Sequence, residues 1–259
     1  MTHFKKCIHF CFVFFLLPFL TLAQEGTRTN TAPSSTQSGK ILLVPFEPKL
    51  YMSEIDQKVN QQTKWNFNQI RENFRHQLDT QLKLKFQSIA PVVSFYSDST
   101  KMSKDLEYTY LSSNLSYELV NQPTAATAPT KKQEGIKNGQ VAVEINSDKK
   151  FMNTKLPNLE VLTYLNKKYK VEYFVFINEL DITTIMDSYD MASDTYQRQV
   201  AVHYSIIDKT GKTISAGLAT STFSSKENNP KKIVSSTFTP IASFIASKLA
   251  VIINPPKEK

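Results

Sequence analysis

Eleven residues, Glu172 to Ile182 with the sequence EYFVFINELDI, constrain the fold more than any other stretch of the chain. Tyr173 to Ile177 is apolar at every position, which is the pattern of a strand that is covered on both faces. Glu179 and Asp181 follow, and we expect the strand to leave the core there and meet solvent. A strand with two covered faces needs a layer packed on each side, so the sequence predicts a layered domain built around it.

Strict alternation assigns the side chains of this strand to opposite faces. The odd-numbered residues from Tyr173 to Asp181 are predicted to share one face, and the even-numbered residues from Phe174 to Ile182 the other. Residues Met186 to Asp194 are predicted as an acidic, flexible loop that follows the strand.

Hydrophobic periodicity predicts the other elements. Ser97 to Val120 mixes strand-like and helix-like spacing and is predicted as helix. Asn66 and Gln69 resemble a capping box at the start of the clearest helix. The remaining predicted elements are strands at Lys40–Phe46, Ile89–Tyr96 and Gln140–Asn146, helices at Phe67–Phe86 and Pro157–Lys170, hairpin strands at Gln197–Asp208 and Thr213–Phe223, and a final helix.

The final helix has two alternative starts. Thr239 and Pro240 can form its cap and first residue, or Pro240 can kink a longer helix that begins near Pro230. With about 14 apolar-rich residues interrupted by Lys248, it is predicted to be too short and too polar to cross a membrane.

The order of these elements predicts a mixed α/β (α+β) fold. A mixed sheet would end in an antiparallel carboxyl-terminal hairpin, whose turn places Gly211 in the left-handed conformation. Helices would pack on the faces of that sheet.

The amino terminus is predicted to be a cleaved signal peptide. Lys5 and Lys6 precede an apolar run that ends in small residues before Gln24, which is the pattern of an export signal. An uncleaved anchor helix is the alternative. The predicted organisation is a signal peptide at 1–23, a disordered leader at 24–39, a single domain at 40–254 with a flexible insertion at about 121–139, and a tail at 255–259.

Composition excludes several chemistries from the mature chain. Its only cysteines, Cys7 and Cys11, lie in the predicted signal peptide, so disulfides and thiolate metal sites are not expected. Without Lys5 and Lys6, the 31 basic residues fall to 29 against 23 acidic ones, a net charge of +6. An exported protein of this kind is expected to bind no nucleic acid and to keep no transmembrane segment after cleavage.

Three segments resemble a group of bacterial envelope proteins. They are KILLVPF, which ends in Pro45 and Phe46, EYFVFINELDI directly after a helix ending in KKYK, and the hairpin HYSIIDKTGKTISAG. Together they resemble the core shared by curli-secretion lipoproteins, the amino-terminal domain of TolB and the lipoprotein activators of peptidoglycan synthases. The resemblance implies a mixed α/β core in an envelope protein. Separately, the signal ending in Ala23 and Gln24 and the aromatic, Asn-rich and Lys-rich composition resemble those of Bacteroidetes envelope proteins. The chain departs from the group because Gln24 replaces the lipidated cysteine and because residues Ser97 to Asn146 form an insertion, which counts against transferring pore or activator roles.

No sequence pattern of a known catalytic or cofactor site is present. The mature chain has two histidines, His76 and His203, which lie far apart and outside any HExxH spacing. It has no glycine-rich phosphate loop and no GxSxG nucleophile turn. We therefore expect no enzyme activity, no cofactor and no metal.

The group of residues best suited to catalysis or ligand binding lies at the polar end of the central strand. Asn178, Glu179 and Asp181 lie there, and His203 could meet Glu179 and Asp181 on one sheet face if the two strands pair. A carboxylate beside an imidazole can transfer protons or bind a cation. The alternative is that Glu179 and Asp181 mark a strand end at the solvent and that His203 is a packed histidine of the sheet.

Three functional hypotheses follow. The first is a non-catalytic, periplasmic or extracellular envelope domain that binds a protein partner through a sheet edge or an exposed helix face. The second is a binder of a small ligand or cation, or an enzyme, that uses the face carrying Glu179, Asp181 and His203. The third is a self-assembling secretion-type subunit, which would form homo-oligomers.

Overall fold

The structure is a computed structural model, and it describes residues 39–97, 99–120, 136–137, 140–141 and 150–254. The predicted signal peptide, the leader as far as Ser38, the tail from residue 255 and most of the predicted insertion lie outside these ranges. So do residues 142–146 of the strand predicted at Gln140–Asn146. All described residues belong to one compact unit.

The fold is mixed α/β, as predicted. The strands are β1 (Lys40–Val44), β2 (Tyr51–Ser53), β3 (Val92–Ser94), β4 (Asn114–Leu119), β5 (Ile136–Lys137), β6 (Gln140–Val141), β7 (Lys150–Lys155), β8 (Val171–Asp190), β9 (Thr195–Asp208) and β10 (Thr213–Ser224). The helices are α1 (Asp56–Thr63), α2 (Phe67–Gln87), α3 (Ser99–Leu111), α4 (Glu160–Tyr169), α5 (Pro230–Ile233) and α6 (Thr239–Ile253), with a π-helical turn at Val234–Phe238 between the last two and a 3₁₀ turn at Pro48–Leu50.

The main sheet has six strands. Five of them follow the order β10-β9-β8-β1-β3, and β2 pairs with the second half of β8. β1 is parallel to both β3 and β8, whereas β9 is antiparallel to both of its neighbours, β8 and β10. β4 and β7 form a separate antiparallel pair, and so do β5 and β6. The predicted mixed sheet with an antiparallel carboxyl-terminal hairpin is therefore confirmed, and Gly211 in its turn has a φ of 88°.

Both faces of the main sheet are covered. In β1, Ile41 and Leu43 belong to the larger core, which α1, α2 and the last helix complete. Leu42 and Val44 belong to a smaller core under α3 and α4. The alternation of β1 between two cores explains why its sequence is apolar at consecutive positions.

A β-bulge at Asn178 overturns the predicted alternation of β8. Ile177 pairs with Tyr204 and Glu179 with His203, so Asn178 has no partner in the ladder. The extra residue reverses the two faces for the rest of the strand. Leu180 and Ile182 therefore join the core of Val175 and Ile177, while Glu179 and Asp181 move to the face of Phe174 and Phe176.

The β8–β9 hairpin is longer than predicted. The segment Met186 to Asp194 was expected to be a loop, but β8 continues to Asp190 and β9 begins at Thr195. Polar side chains close this tip, because Asp190 accepts hydrogen bonds from the Ala192 amide at 3.0 Å and the Ser193 hydroxyl at 2.5 Å.

Two predictions between α2 and α4 were wrong. Ser97 to Val120 is not one helix, since α3 ends at Leu111 and β4 begins at Asn114. The helix predicted from Pro157 begins at Glu160, whose amide is capped by the Asn158 side chain at 2.8 Å. The strand β7 was not predicted at all.

Helix α2 agrees with the prediction, including its capping box. The Asn66 side chain accepts a hydrogen bond from the Gln69 amide, and the Gln69 side chain accepts one from the Asn66 amide. His76 lies on this helix and is exposed, as expected.

The final helix follows the longer of the two predicted alternatives. It is continuous over the 24 residues Pro230–Ile253, and the π-helical turn just before Pro240 accommodates the missing proline N–H. Within the described part of the chain it is the one helix long and apolar enough to cross a membrane, contrary to the shorter, more polar helix expected. Its apolar stripe packs in the larger core of this fold; the buried members include Ile233, Phe238, Ile241, Ile245 and Leu249.

Candidate functional site

The structure brings three of the predicted site residues together. Glu179 on β8 lies directly opposite His203 on β9, and Asp181 lies two residues further along β8. One oxygen or nitrogen atom of each of the three side chains lies within 4.8 Å of the others. The bulge at Asn178 creates this cluster, because it turns Glu179 and Asp181 onto the face that carries His203.

Most of the cluster is buried, and only Asp181, which is half-buried, reaches solvent. Glu179 and His203 are each 4% exposed, and Asn178 is 2% exposed. The pair of strands β4 and β7, called here the covering pair, lies over this part of the sheet and contacts β8 and β9 through β7. The expectation that Glu179 meets solvent was wrong because β7 could not be recognised in the sequence.

His203 joins the covering pair to the sheet. The main-chain N–H of Met152 on β7 donates to His203 Nδ1 at 2.7 Å. An accepting Nδ1 has no proton, so the neutral ring carries its proton on Nε2. Nε2 lies 3.0 Å from Asp181 Oδ2 and donates to it. Both ring nitrogens are therefore occupied by structural hydrogen bonds.

Glu179 binds the other strand of the covering pair. The hydroxyl of Tyr117 on β4 lies 2.9 and 2.8 Å from the two oxygens of the Glu179 carboxylate and donates to them. Burial raises the pKa of Glu179, the Tyr117 hydrogen bond opposes that rise, and the nearby Asp181 charge adds to it. Desolvation of the Tyr117 hydroxyl and its bond to Glu179 raise the pKa of Tyr117 to about 12.

Asn178 forms the centre of a wider polar network. Its side-chain NH₂ group donates to the Met152 main-chain carbonyl at 2.7 Å and to the Ser205 hydroxyl at 2.8 Å. Its side-chain oxygen accepts a hydrogen bond from the Thr154 hydroxyl at 2.6 Å. The Thr154 amide donates to Ser205 at 3.0 Å, and Ser205 donates to Asn153 at 2.7 Å. This set of bonds, called here the polar seam, fixes the middle of β7 to β8 and β9.

Sequence reasoning missed three members of the polar seam. Ser205 could have been found, because it shares a strand face with His203 at a spacing of two residues. Asn153 and Thr154 gave no signal, because KFMNTK lacks the apolar alternation of a half-buried strand.

The arrangement leaves little scope for acid–base or metal chemistry at His203. A general base or a metal ligand needs a free lone pair on the imidazole, and the Met152 N–H occupies it. One polar atom of the cluster, Asp181 Oδ1, is buried and has no hydrogen-bond partner among the described residues, so it is available to bind a cation. The carboxylates of Glu179 and Asp181, and not the imidazole, are the groups that could hold a cation.

Comparison with known proteins assigns the chain to no family. No protein-family model matches the chain, and no curated protein matches it in sequence. Among solved structures the chain is similar to lipoprotein GNA1162 from Neisseria meningitidis, with 13% identity, coverage of 83% of this chain and 99% of that chain, and a TM-score of 0.35. A TM-score this low carries no argument about fold or function. The resemblance to the TolB and curli-secretion group has no family match behind it and stays a prediction.

Proposed function

We propose that this chain is a non-catalytic, exported domain of the cell envelope that binds a protein partner. The observation that supports the proposal most directly is the engagement of His203, whose two ring nitrogens bind Met152 and Asp181. The side chains best suited to catalysis, Glu179, Asp181 and His203, are thus used to hold the covering pair in place. Export itself is proposed from the signal-like amino terminus.

The shape of the described surface also favours partner binding over catalysis. The two cavities nearest the sheet hold about 10 and about 20 Å³ of space, close to the volume of a single water molecule. A small-molecule site commonly needs several hundred Å³. A larger concavity among the described residues, about 680 Å³, is an open depression lined by Lys58, Gln61, Gln62, Ser225, Lys226 and Asn228.

Cross-linking in intact envelopes followed by mass spectrometry tests this proposal. Cells would produce the wild-type chain, His203→Asn and the exposed-histidine control His76→Asn. We expect the same partner peptides from all three, with a lower melting temperature for His203→Asn alone. Recovery of no protein partner would contradict the proposal. So would a His203→Asn variant that keeps its melting temperature and loses the partner, because His203 would then contact the partner itself.

A second candidate function is the binding of a small cation by Glu179 and Asp181. The unpartnered Oδ1 of Asp181 favours it, as does the absence of any ion pair between these carboxylates and a lysine or arginine of the described residues. Thermal melting with CaCl₂ or MgCl₂ would distinguish the two. The candidate requires a rise in melting temperature for wild type that Asp181→Asn abolishes, and an equal response of both proteins excludes it.

A further inference from the structure

The strand β10 forms a long, open edge of the main sheet. It runs for 12 residues, TISAGLATSTFS, and pairs with β9 along its inner side. No strand of the described chain pairs with its outer side. An edge of this kind presents a row of main-chain N–H and C=O groups that another strand can use.

This edge lacks the usual protections against pairing. Natural edge strands are shortened, broken by proline or bulges, or charged. β10 contains no proline and no charged residue, and its register is regular from Ser215 to Ser224. At the opposite side of the sheet, β3 is only three residues long.

One face of β10 is covered by the larger core and the other is covered only in part, while its outer edge is unpaired among the described residues. On one face Ala219 and Phe223 are buried in the larger core against the last helix. On the other face β7 contacts β10. Small side chains dominate between these contacts, and Thr220 and Thr222 are exposed. A second backbone can therefore approach at the spacing of about 4.8 Å that neighbouring strands need.

We propose that β10 pairs antiparallel with β10 of a second copy of this chain, which joins two six-stranded sheets into one. The inference rests on the proposed function, since it names the protein partner as a second copy. A two-fold axis makes the same strand complementary to itself, and an uncharged strand meets no like charge along its length. Among the other open strand segments, β4 carries Glu118 and the outer part of β8 carries Asp187 and Asp190.

The proposed pairing closes on itself. Maximum overlap of the two strands places the two-fold axis near Leu218 to Thr220, the middle of β10. Among the described residues, the free edges that remain in each main sheet are then the three-residue strands β2 and β3, which are too short to recruit a further copy, and the outer part of β8, which carries Asp187 and Asp190. Lys212 and Lys226 flank β10 and would approach each other across the axis. Salt screens such repulsion, so association is expected to strengthen at higher ionic strength.

Cysteine scanning can locate the axis directly. In a full-length background with Cys7→Ser and Cys11→Ser, no other cysteine remains. Single cysteines at Ala216, Leu218, Thr220 and Thr222 would be oxidised, with the exposed β8 variant Thr183→Cys as the control. A disulfide forms only when the two Cα atoms lie about 4.4–6.8 Å apart. With the axis at Ala219, Leu218 lies opposite Thr220 of the second copy and Ala216 lies opposite Thr222. We therefore expect high yields of cross-linked dimer from mixtures of Leu218→Cys with Thr220→Cys and of Ala216→Cys with Thr222→Cys, and low yields from Thr222→Cys alone and from Thr183→Cys. Equal yields from all of these would overturn the pairing.

Light scattering on size-exclusion fractions supplies a second readout that needs no cysteine. Wild type and the control Thr183→Lys should be dimers, whereas Thr220→Lys combined with Thr222→Lys should be monomeric with an unchanged circular dichroism spectrum. A strict monomer at high concentration overturns self-pairing. If that monomer still cross-links to another envelope protein, the proposed function stands and only the identity of the partner is wrong; if it cross-links to nothing, both fail.

Discussion

One face of the β8–β9 hairpin has two covers of opposite chemistry. Helices α3 and α4 cover its first half, where Phe174 and Phe176 pack in the smaller apolar core. The β4–β7 covering pair lies over the half beyond the bulge, where the polar seam takes the place of apolar packing. Apolar contacts are non-directional and tolerate sliding, whereas hydrogen bonds fix one register. The difference indicates that the helices supply most of the stability and that the polar seam supplies the position of the covering pair.

The largest expected effect comes from the apolar half. Phe174→Ala removes a fully buried ring, and a change of this kind lowers the free energy of unfolding by about 3–5 kcal/mol. Urea denaturation measures it. Phe244→Ala is the matched control, since Phe244 is 42% exposed, and it should cost less than about 1 kcal/mol. Equal losses would show that the apolar cover is not the main source of stability.

A smaller effect is expected from the polar seam. Asn178→Ala leaves the Met152 carbonyl and the Thr154 hydroxyl without their partner, and an unsatisfied buried group costs about 1–3 kcal/mol. Hydrogen exchange should show faster exchange of the Met152 and Thr154 amides while those of β1 stay protected. The exposed Asn68→Ala serves as the control. Faster exchange throughout the sheet would mean that the seam supports the whole fold and not only the covering pair.

On the opposite face of the main sheet, one buried carboxyl group beside the apolar core makes the stability of the fold depend on pH. Asp79 on α2 is buried and accepts a hydrogen bond from Ser94 at 2.7 Å, and burial raises the pKa of its carboxyl from 3.8 to about 6. The folded state therefore binds this proton more tightly than the unfolded state, so its stabilisation is full below pH 3.8 and is lost as the pH rises through about 6.

Comparison of wild type with Asp79→Asn isolates this group. Between pH 7 and pH 4, the stability of wild type relative to the variant should increase by about 2 kcal/mol. Urea denaturation at several pH values measures the difference, and carboxylates elsewhere cancel because both proteins contain them. A difference that is independent of pH would show that Asp79 titrates normally.

The smallest effect is expected at the outer strand of the covering pair. Tyr117 is 55% exposed, so water can take the place of its hydroxyl on Glu179, and Tyr117→Phe should cost about 1 kcal/mol. Because the Tyr117 hydroxyl opposes the rise in the pKa of Glu179, its removal should raise that pKa further. Carboxyl NMR titration measures the shift, with Tyr108→Phe as a partly exposed control on α3. An unchanged Glu179 titration would mean that this hydrogen bond is not formed in solution.

The two covers also differ in how far the sequence predicts them. Tyr173 to Ile177 and the stripe of α2 are apolar with clear periods, so the sheet centre and its main helix could be predicted. The strand β7 could not, because Asn153 and Thr154 are buried through hydrogen bonds to residues distant in sequence. Burial that depends on a partner elsewhere in the chain leaves no local period.

The candidate site was predicted in its residues and not in its geometry. The proximity of Glu179, Asp181 and His203 follows from pairing two recognisable strands. The bulge at Asn178 could not be predicted, because the alternation of side chains between the two faces fits the sequence of β8 equally well with or without an extra residue there. As a result, Glu179 and Asp181 were assigned to the face of Val175 and Ile177 and to solvent, whereas Glu179 lies buried under the covering pair and Asp181 lies half-buried beside it.

The length of β8 carries the hairpin past the rest of the sheet. As far as Ile182 the strand is held between β2 and β9, and β9 is held by β10 as far as Gln197, the partner of Ile185. From Ile185 to Asp190 the strand advances about 17 Å at 3.3 Å per residue, and among the described residues this part has no neighbour in the main sheet except the return strand β9. A bend of about 10° at Ile185 therefore displaces the hairpin tip, which carries the exposed Met186 and Met191, by about 3 Å and leaves the residues that hold the covering pair in place.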